Sequence, residues 1–544
     1  MKIEGAVALV TGGASGIGKA ICEKLLQGGA KVQFLDINKT TGEETLKSLN
    51  NQHANGRAKF ICCDVTSQDQ LEAAFRATVK EHGRLDILVN NAGVLDEQDW
   101  EKTLNVNLHA VIRSTFLGIE LMKNGVIINM SSTGGIHPVS FAPTYCASKF
   151  GVMGFSRSVA PTAVRKKGIR VNCVCPGSTD TDIYKSVVNL ELTREQQELL
   201  VNTHKQKPEA VAQCIVDLIK DESTEAGQVV KVTYEDGVEY LNFNDVRRMS
   251  NLVPRARKPF DKRSQVHKSM PGWPRPYALV LVFTRPPPLL QRMKISGCVA
   301  FVTGGASGIG RGICETLLQC DAKVAIVDIS NERGREAVIT LGEKYGTGSI
   351  TFIRCDVSVE NSLKAAMTVQ DRISSYNVNT VQTRFDEVPR DWGNWLVISR
   401  VHHIEGGVIH GTLLAIDNMK SGSVIINTSS TAGLAPWKLA PVYCATKHGV
   451  IAFTRSIAKA AIRDKGIRVN CICPGRTDTE MDFPRHRLTK EEIEAQDSLP
   501  KQPVADVAKG VVELIEDDSK IGEVLVICVT DGTKYKQFLD ELYL

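Results

Sequence analysis

Two α/β domains in tandem, each built on a doubly wound parallel sheet, are what this chain of 544 residues predicts. Three observations predict it. First, the chain repeats itself: VALVTGGASGIGKAICEKLLQGGAKVQFLDI (Val7–Ile37) returns as VAFVTGGASGIGRGICETLLQCDAKVAIVDI (Val299–Ile329), PTYCASKFGVMGFSRS (Pro143–Ser158) as PVYCATKHGVIAFTRS (Pro441–Ser456), and GIRVNCVCPGSTDT (Gly168–Thr181) as GIRVNCICPGRTDT (Gly466–Thr479). Second, short apolar runs alternate with stretches long enough for helices, the pattern of βαβ units whose sheet is covered on both faces. Third, the first strand of each copy runs straight into a glycine-rich turn that opens a helix. The period is 292 residues early and 298 late. That is too long for a solenoid and fits a repeated domain of roughly 250 residues.

Composition bounds the function. With 42% hydrophobic and 23% charged residues the chain is an ordinary globular one. Its net charge of +5 is unevenly spread: Asp245–Arg292 carries eleven Lys/Arg and two Asp/Glu, a local +9, so the rest sums to −4. Nothing global argues for nucleic acid or an anionic membrane as partner. The basic segment holds eight of the chain's twenty prolines and reads as a linker. If flexible, it spans roughly 35–40 Å on average. The expected organisation is therefore domain one at 1–244, linker at 245–292 and domain two at 293–544. The fifteen cysteines show no metal-ligand spacing, so no metal is expected, and they read as reduced, mostly buried thiols of a cytoplasmic protein. MKIEGAVALVTGG enters a strand at once and does not read as a signal peptide.

In domain one the expected strands are Val7–Val10, Val32–Asp36, Phe60–Asp64, Ile87–Asn90, Val126–Ser131, Arg170–Val174 and Val229–Val232. The first leads into Thr11-Gly12-Gly13-Ala14-Ser15-Gly16-Ile17-Gly18. Gly12 suits a tight turn, Ser15, Gly16 and Ile17 bring backbone amides toward a pyrophosphate, and Gly18 permits close packing, which together make a Rossmann-type dinucleotide site. Asp36, eighteen residues past Gly18, is placed to accept hydrogen bonds from an adenosine ribose. Its charge would repel a 2′-phosphate, so the expected cofactor is NAD rather than NADP.

TGxxxGxG, then Asn90-Asn91-Ala92-Gly93, Asn105-Val106-Asn107-Leu108, Ser132, Tyr145-x-x-x-Lys149 and Pro176-Gly177 resemble, in order, the short-chain dehydrogenase/reductase family. The stretches INMSSTGG, PTYCASKFG and VNCVCPG are most similar to its NAD-dependent hydroxyprostaglandin dehydrogenase branch and the insect relatives of that branch. The resemblance implies oxidation of a secondary alcohol to a ketone. Its physics is sound. Positions i and i+4 share a helix face, so Lys149 can hold its ammonium near the Tyr145 phenol. A nearby cation favours the phenolate of a group whose reference pKa is about 10. Tyr145 can then take the proton of a substrate alcohol. Ser132, at the carboxyl edge of the sheet, would orient the substrate oxygen.

By resemblance Asn107 anchors a water that links Lys149 to solvent, and Lys149 also binds the nicotinamide ribose. Asp64 and Val65 are expected at the adenine, Asn91, Ala92 and Gly93 at the adenosine ribose, and Pro176, Gly177, Thr179 and Thr181 at the nicotinamide side. Residues 182–207 form the expected substrate lid. Its Ile183, Tyr184, Val187, Val188 and Leu190 suit a small apolar alcohol or ketone, and equally suit a plain amphipathic helix. Taken singly, each catalytic candidate has a plain structural reading: Ser132 a helix cap, Asn107 a turn residue, Tyr145 a half-buried aromatic, Lys149 a solvated charge. Their shared order is what points to chemistry. Two other classes of function stay open: a catalytically silent NAD-binding scaffold, and an NADPH-linked carbonyl reductase, which Asp36 disfavours.

Domain two keeps Gly304, Gly308, Gly310, Asp328, Asp356, Ser430, Tyr443 and Lys447. It loses its middle. Across Tyr376–Gly407 there is no NNAG, and the relay asparagine falls on Ile404. The fourth, central strand is lost unless Trp395–Ser399 replaces it. A weak or non-catalytic domain is expected, packed against domain one as an intramolecular pseudo-dimer, or in a homo-oligomer. The linker and the 376–407 span also fit translated non-coding sequence joining two tandem genes; tryptic linker peptides from native protein would refute that.

Overall fold

The computed structural model describes the chain except residues 54–55, 184–191, 195, 199–202, 224, 242–294, 369–394, 400–403, 481–489 and 539–544. The linker and half of the lid, including Tyr184, Val187, Val188 and Leu190, lie outside the described residues.

The first sheet comprises β1 (Val7–Thr11), β2 (Lys31–Asp36), β3 (Ala58–Cys62), β4 (Ile87–Asn90), β5 (Gly125–Met130), β6 (Ile169–Pro176), β7 (Val229–Thr233) and β8 (Gly237–Tyr240). Their order is β3-β2-β1-β4-β5-β6-β7-β8. Side chains alternate between two helical layers, as the pleat requires. Ala8 and Val10 enter one core with the helices Gly16–Gln27 and Pro208–Lys220, and Leu9 enters the other with Gln68–His82, Ala110–Leu121 and Pro143–Lys167. The strands up to β7 pair parallel; β8 pairs antiparallel with β7 through Val232↔Val238. The sequence reading missed β8, which is exposed along its length and so carries no apolar run to betray it. The third strand ends at Cys62, which moves Asp64 and Val65 into the loop beyond it.

The strand order reverses between β1 and β4, and the loops leaving these strands border one crevice, the expected ligand position of such a sheet. A buried polar chain sets the strands beside it. Asn90 Nδ2 donates to Asn129 Oδ1 at 2.8 Å, and Asn129 Nδ2 to Ser156 Oγ at 3.0 Å, tying β4 and β5 to the long helix Pro143–Lys167.

The second sheet, β9 (Val299–Thr303) to β16 (Gly532–Tyr535), repeats this order. Trp395–Ser399 is its central strand β12, parallel to β9 and to β13 (Val424–Thr428). The run WLVIS thus replaces the missing LDILVNN, and the sheet is continuous.

The helices Pro143–Lys167 and Pro441–Lys465 pack against each other. Ala445 and Ala452 join the core of domain one, and Leu104 and Ala147 that of domain two. A Cβ on Gly154 would stand 2.5 Å from the His448 ring, so only glycine lets that ring lie on the helix. Trp100 stacks on His410 at 5.9 Å. Among the described residues no helix is long and apolar enough to cross a membrane, and no three metal-ligating side chains cluster. All fifteen cysteines are free.

Candidate active site

The glycine turn after β1 is shaped for close backbone approach. Gly12 and Gly16 have φ of 63° and 51°, the left-handed region that glycine enters without penalty. A Cβ on Gly18 would lie 2.0 Å from the Gly12 carbonyl oxygen; this glycine lets the turn fold on itself, whereas helix–strand contact was expected of it. Ser15 caps the helix Gly16–Gln27 without a side-chain hydrogen bond, unlike Asn38 and Ser67 at the next two helices. The first-turn amides are therefore open to an anion. Ile17 packs on the core, and Thr181 reaches this turn, with its Cγ2 3.0 Å from the place of a Gly16 Cβ.

Asp36, half-exposed at the end of β2, accepts from Ala14 N at 3.1 Å and Asn38 N at 3.0 Å. It braces the glycine turn and keeps an accessible face. Asp64 accepts from the Thr66 amide and hydroxyl, and Val65 is buried. The side-chain amide of Asn91 donates to the carbonyls of Thr11 and Gly12 at 3.1 and 3.0 Å, so it fastens the loop after β4 to the glycine turn. Ala92 N donates to Thr11 Oγ1. Gly177 is held by Val232 O, and Thr179 donates to Gly177 O at 2.9 Å. A dinucleotide fits this donor set: an uncapped helix start, a turn without side chains and an acid at the second strand.

Ser132, Tyr145 and Lys149 converge at the carboxyl edge of β5. Ser132 Oγ accepts from Gly134 N at 3.1 Å, so it does cap a short 3₁₀ turn. The place of a Gly134 Cβ lies 3.4 Å from Tyr145 Cε1 and 3.6 Å from Ser132 Oγ, which brings phenol ring and hydroxyl close to one glycine. Lys149 Nζ sits 5.6 Å from the Tyr145 ring centroid. It is no solvated charge: the residue is 3% exposed, and Nζ donates to Met130 O at 3.2 Å. Burial pulls the ammonium down to about 8. Asn107 lies in a one-turn π-helix, Asn105–His109, a distortion common at functional sites. Its side chain bonds both backbone groups of Val94 and Ser148 Oγ. Gly93 lies beside Asn107 Oδ1 and Lys149 Nζ.

Sequence reasoning missed Glu97. The helix Pro143–Lys167 has Ala142 at its N-cap, which supplies no cap. Glu97 supplies it from a distant loop, accepting from Thr144 N at 2.9 Å and Tyr145 N at 2.8 Å. Burial pushes its carboxyl up, against the two amides that hold it down. The loop after β4 is thereby strapped to the start of the helix that carries Tyr145. Only a pairing 48 residues apart shows this, and no local signal does. Glu97→Ala is expected to cost about 1–2 kcal/mol in urea unfolding of the full chain; an unchanged midpoint would refute the strap.

Domain two repeats much of the geometry. Gly304 and Gly308 have φ of 63° and 50°, and a Gly310 Cβ would meet Gly304 O at 2.0 Å. Asp328 accepts from Ala306 N and Ser330 N, and Asp356 from the amide and hydroxyl of Ser358. Ser430 Oγ accepts from Ala432 N at 3.1 Å, Lys447 Nζ donates to Thr428 O, and Nζ is 5.6 Å from the Tyr443 ring. Ile404 begins a π-helix where domain one has its asparagine. No isoleucine can make the bonds of Asn107.

A glycine turn at the switch point of a parallel sheet, with a buried lysine beside a tyrosine, defines a nicotinamide-dependent oxidoreductase. Residues 6–191 match the short chain dehydrogenase family, and residues 304–533 match a family described as enoyl-(acyl carrier protein) reductase. The chain belongs to the short-chain dehydrogenase/reductase family, with two such regions. It is 42% identical to 15-hydroxyprostaglandin dehydrogenase (NAD(+)) of Rattus norvegicus over 258 residues, 45% of this chain and 97% of that one. The Homo sapiens protein of that name is 40% identical over the same shares. A 3-oxoacyl-acyl-carrier-protein reductase, FabG, of Thermotoga maritima is 36% identical over 43% of this chain and 98% of its own. A crystal structure of an actinorhodin polyketide ketoreductase variant with NADPH is 30% identical, covers 42% of this chain and 96% of that one, and has a TM-score of 0.38.

Proposed function

We propose that the chain oxidises a secondary alcohol to a ketone with NAD, the chemistry being carried by domain one (1–244). The observation that carries this reading is the buried Lys149 ammonium 5.6 Å from the Tyr145 ring, beside Ser132 and the glycine turn. Lys149 stabilises the phenolate of Tyr145 electrostatically, where low water content makes its charge count for more. Tyr145 accepts the alcohol proton, and Ser132 orients the alcohol oxygen and stabilises the charge that develops there. Asn107 holds Val94 and Ser148 around Lys149, which preserves the path by which the proton passes on. Bound NAD supplies the hydride acceptor. Gly12, Ser15, Gly16, Ile17 and Gly18 would hold its pyrophosphate, Asp36 its adenosine ribose, Asp64 and Val65 its adenine, and Thr179 and Thr181 its nicotinamide side.

The relatives' prostaglandin chemistry and the apolar lid sequence favour an apolar hydroxy compound. The free cysteines suit a reducing, cytoplasmic setting. Domain two (293–544), without the asparagine, is the weaker or idle site.

The test mixes the full chain with NAD and a panel of long-chain secondary alcohols, including a 15-hydroxy prostaglandin, and follows NADH absorbance. NAD binding without turnover would favour the silent scaffold. Asp36→Ala is expected to shrink the preference for NAD over NADP by about tenfold or more, as removal of a nearby like charge worth 1–2 kcal/mol would. An unchanged ratio of kcat/KM values would assign the discrimination elsewhere.

A further inference from the structure

We propose that domain two is a positioning subunit for substrate binding in domain one, acting through Ser456. The proposal rests on the reading of domain one as the alcohol-oxidising site. The segment 136–142 joins the turn after Ser132 to the helix that carries Tyr145 and therefore borders the substrate side of both. It forms no helix or strand, so its placement depends on a few bonds. Val139 is the anchor. Its amide donates to Cys146 Sγ at 3.3 Å, and its carbonyl accepts from the hydroxyl of Ser456 in domain two. Val139 also packs on the core that Ala445 and Ala452 of domain two complete. The next residue, Ser140, accepts from Gln196 Nε2 of the lid at 3.0 Å.

A chain of contacts thus runs from domain two through Val139 and Ser140 to the lid. Ser456 is 1% exposed, so water cannot readily replace its hydroxyl, and deletion leaves a carbonyl without that partner. The segment would then shift or loosen, and the substrate contacts it supports would weaken. The residues assigned above to the pyrophosphate and the adenosine follow β1, β2 and β3, on other elements than this segment. Ser456 is a positioning residue, since it touches neither substrate nor cofactor.

Its counterpart by internal symmetry is Ser158, which faces Cys444 of domain two. Ser158→Ala removes the matching hydroxyl from the same interface, next to Cys444 in the helix Pro441–Lys465. This makes it a control for general damage to the contact.

The experiment uses the full chain with Ser456→Ala and Ser158→Ala, assayed with NAD and a 15-hydroxy prostaglandin. Hydrogen–deuterium exchange is followed in peptides covering 136–142 and 192–198. Ser456→Ala is expected to raise KM for the alcohol roughly five- to tenfold, the effect of one lost buried hydrogen bond, with KM for NAD within about twofold. Exchange in 136–142 should accelerate by a similar factor. Ser158→Ala should leave all of these unchanged. Unaltered exchange in 136–142 with Ser456→Ala would overturn the proposal, as would equal effects of both variants. The exchange readout needs no turnover, so it decides the brace even if the prostaglandin is not a substrate; a chain inactive on every alcohol with normal exchange differences would count against the alcohol reading alone.

Discussion

Tyr145→Phe is expected to lower kcat by about 10²–10⁴-fold, the usual worth of a positioned acid–base group, with NAD affinity within about threefold. The variant keeps the ring that packs beside Gly134 and the cation over it, and loses only the oxygen that accepts the proton. Binding and chemistry should therefore separate. Titration of NAD by protein fluorescence gives the first, and initial rates of NADH formation the second. A variant within tenfold of the parent enzyme would remove Tyr145 from the mechanism. Tyr443→Phe, at the matching place in domain two, should be nearly silent. Lys149 adds a pH signature. Burial has pulled its ammonium down to about 8, so in the free enzyme its charge is lost as pH rises through that value. The kcat/KM for NAD, which reports the free enzyme, should fall on the alkaline side near pH 8.

Acidification is expected to weaken the contact between the domains through His448. This ring is buried against Gly154, bonded from Nδ1 to Cys444 O at 2.8 Å, and faces Arg157. Burial first, and then the Arg157 charge, hold it down at about 4. The folded pKa is thus below the unfolded one. The packed state binds no proton between about 6.5 and 4 while the separated, hydrated ring does, so stability is present above the unfolded pKa and is lost as pH falls through this window. Two and a half units correspond to about 3 kcal/mol at pH 4. Protection factors in the helix Pro441–Lys465, taken relative to the intrinsic exchange rate at each pH, should fall between pH 7 and 5. His448→Phe, which installs the residue domain one carries as Phe150, should flatten that dependence. A His448→Phe chain with the parent's pH dependence would place the titrating group elsewhere.

The features legible in the sequence are those that short-range geometry dictates. Positive φ at Gly12 and Gly16 follows from a tight turn after a strand, and the Tyr145–Lys149 approach follows from four residues on one helix face. Asp36 at the end of β2 follows from counting past Gly18. Each needs only a few neighbouring residues, so a pattern in one sequence suffices. The continuous apolar runs likewise marked the parallel strands of domain one, whereas Trp395–Ser399 stayed an open alternative until its pairing with β9 and β13 decided it. The polar edge strand β8 carries no such run and escaped.

What only the tertiary structure decided are pairings between distant residues. Glu97 reaches Tyr145 across 48 positions, Ser456 reaches Val139 across 317, and His448 needs the bare backbone of Gly154. The clamp of Asn91 on Thr11 and Gly12 was not legible either, because its loop and the glycine turn meet only once β1 and β4 lie side by side. The sequence by itself determined two tandem Rossmann-type domains, a dinucleotide turn and a tyrosine–lysine pair, since backbone sterics and helical periodicity act over a few residues. Which buried polar groups satisfy one another was decided by the packed fold, because that depends on which distant surfaces lose their water together.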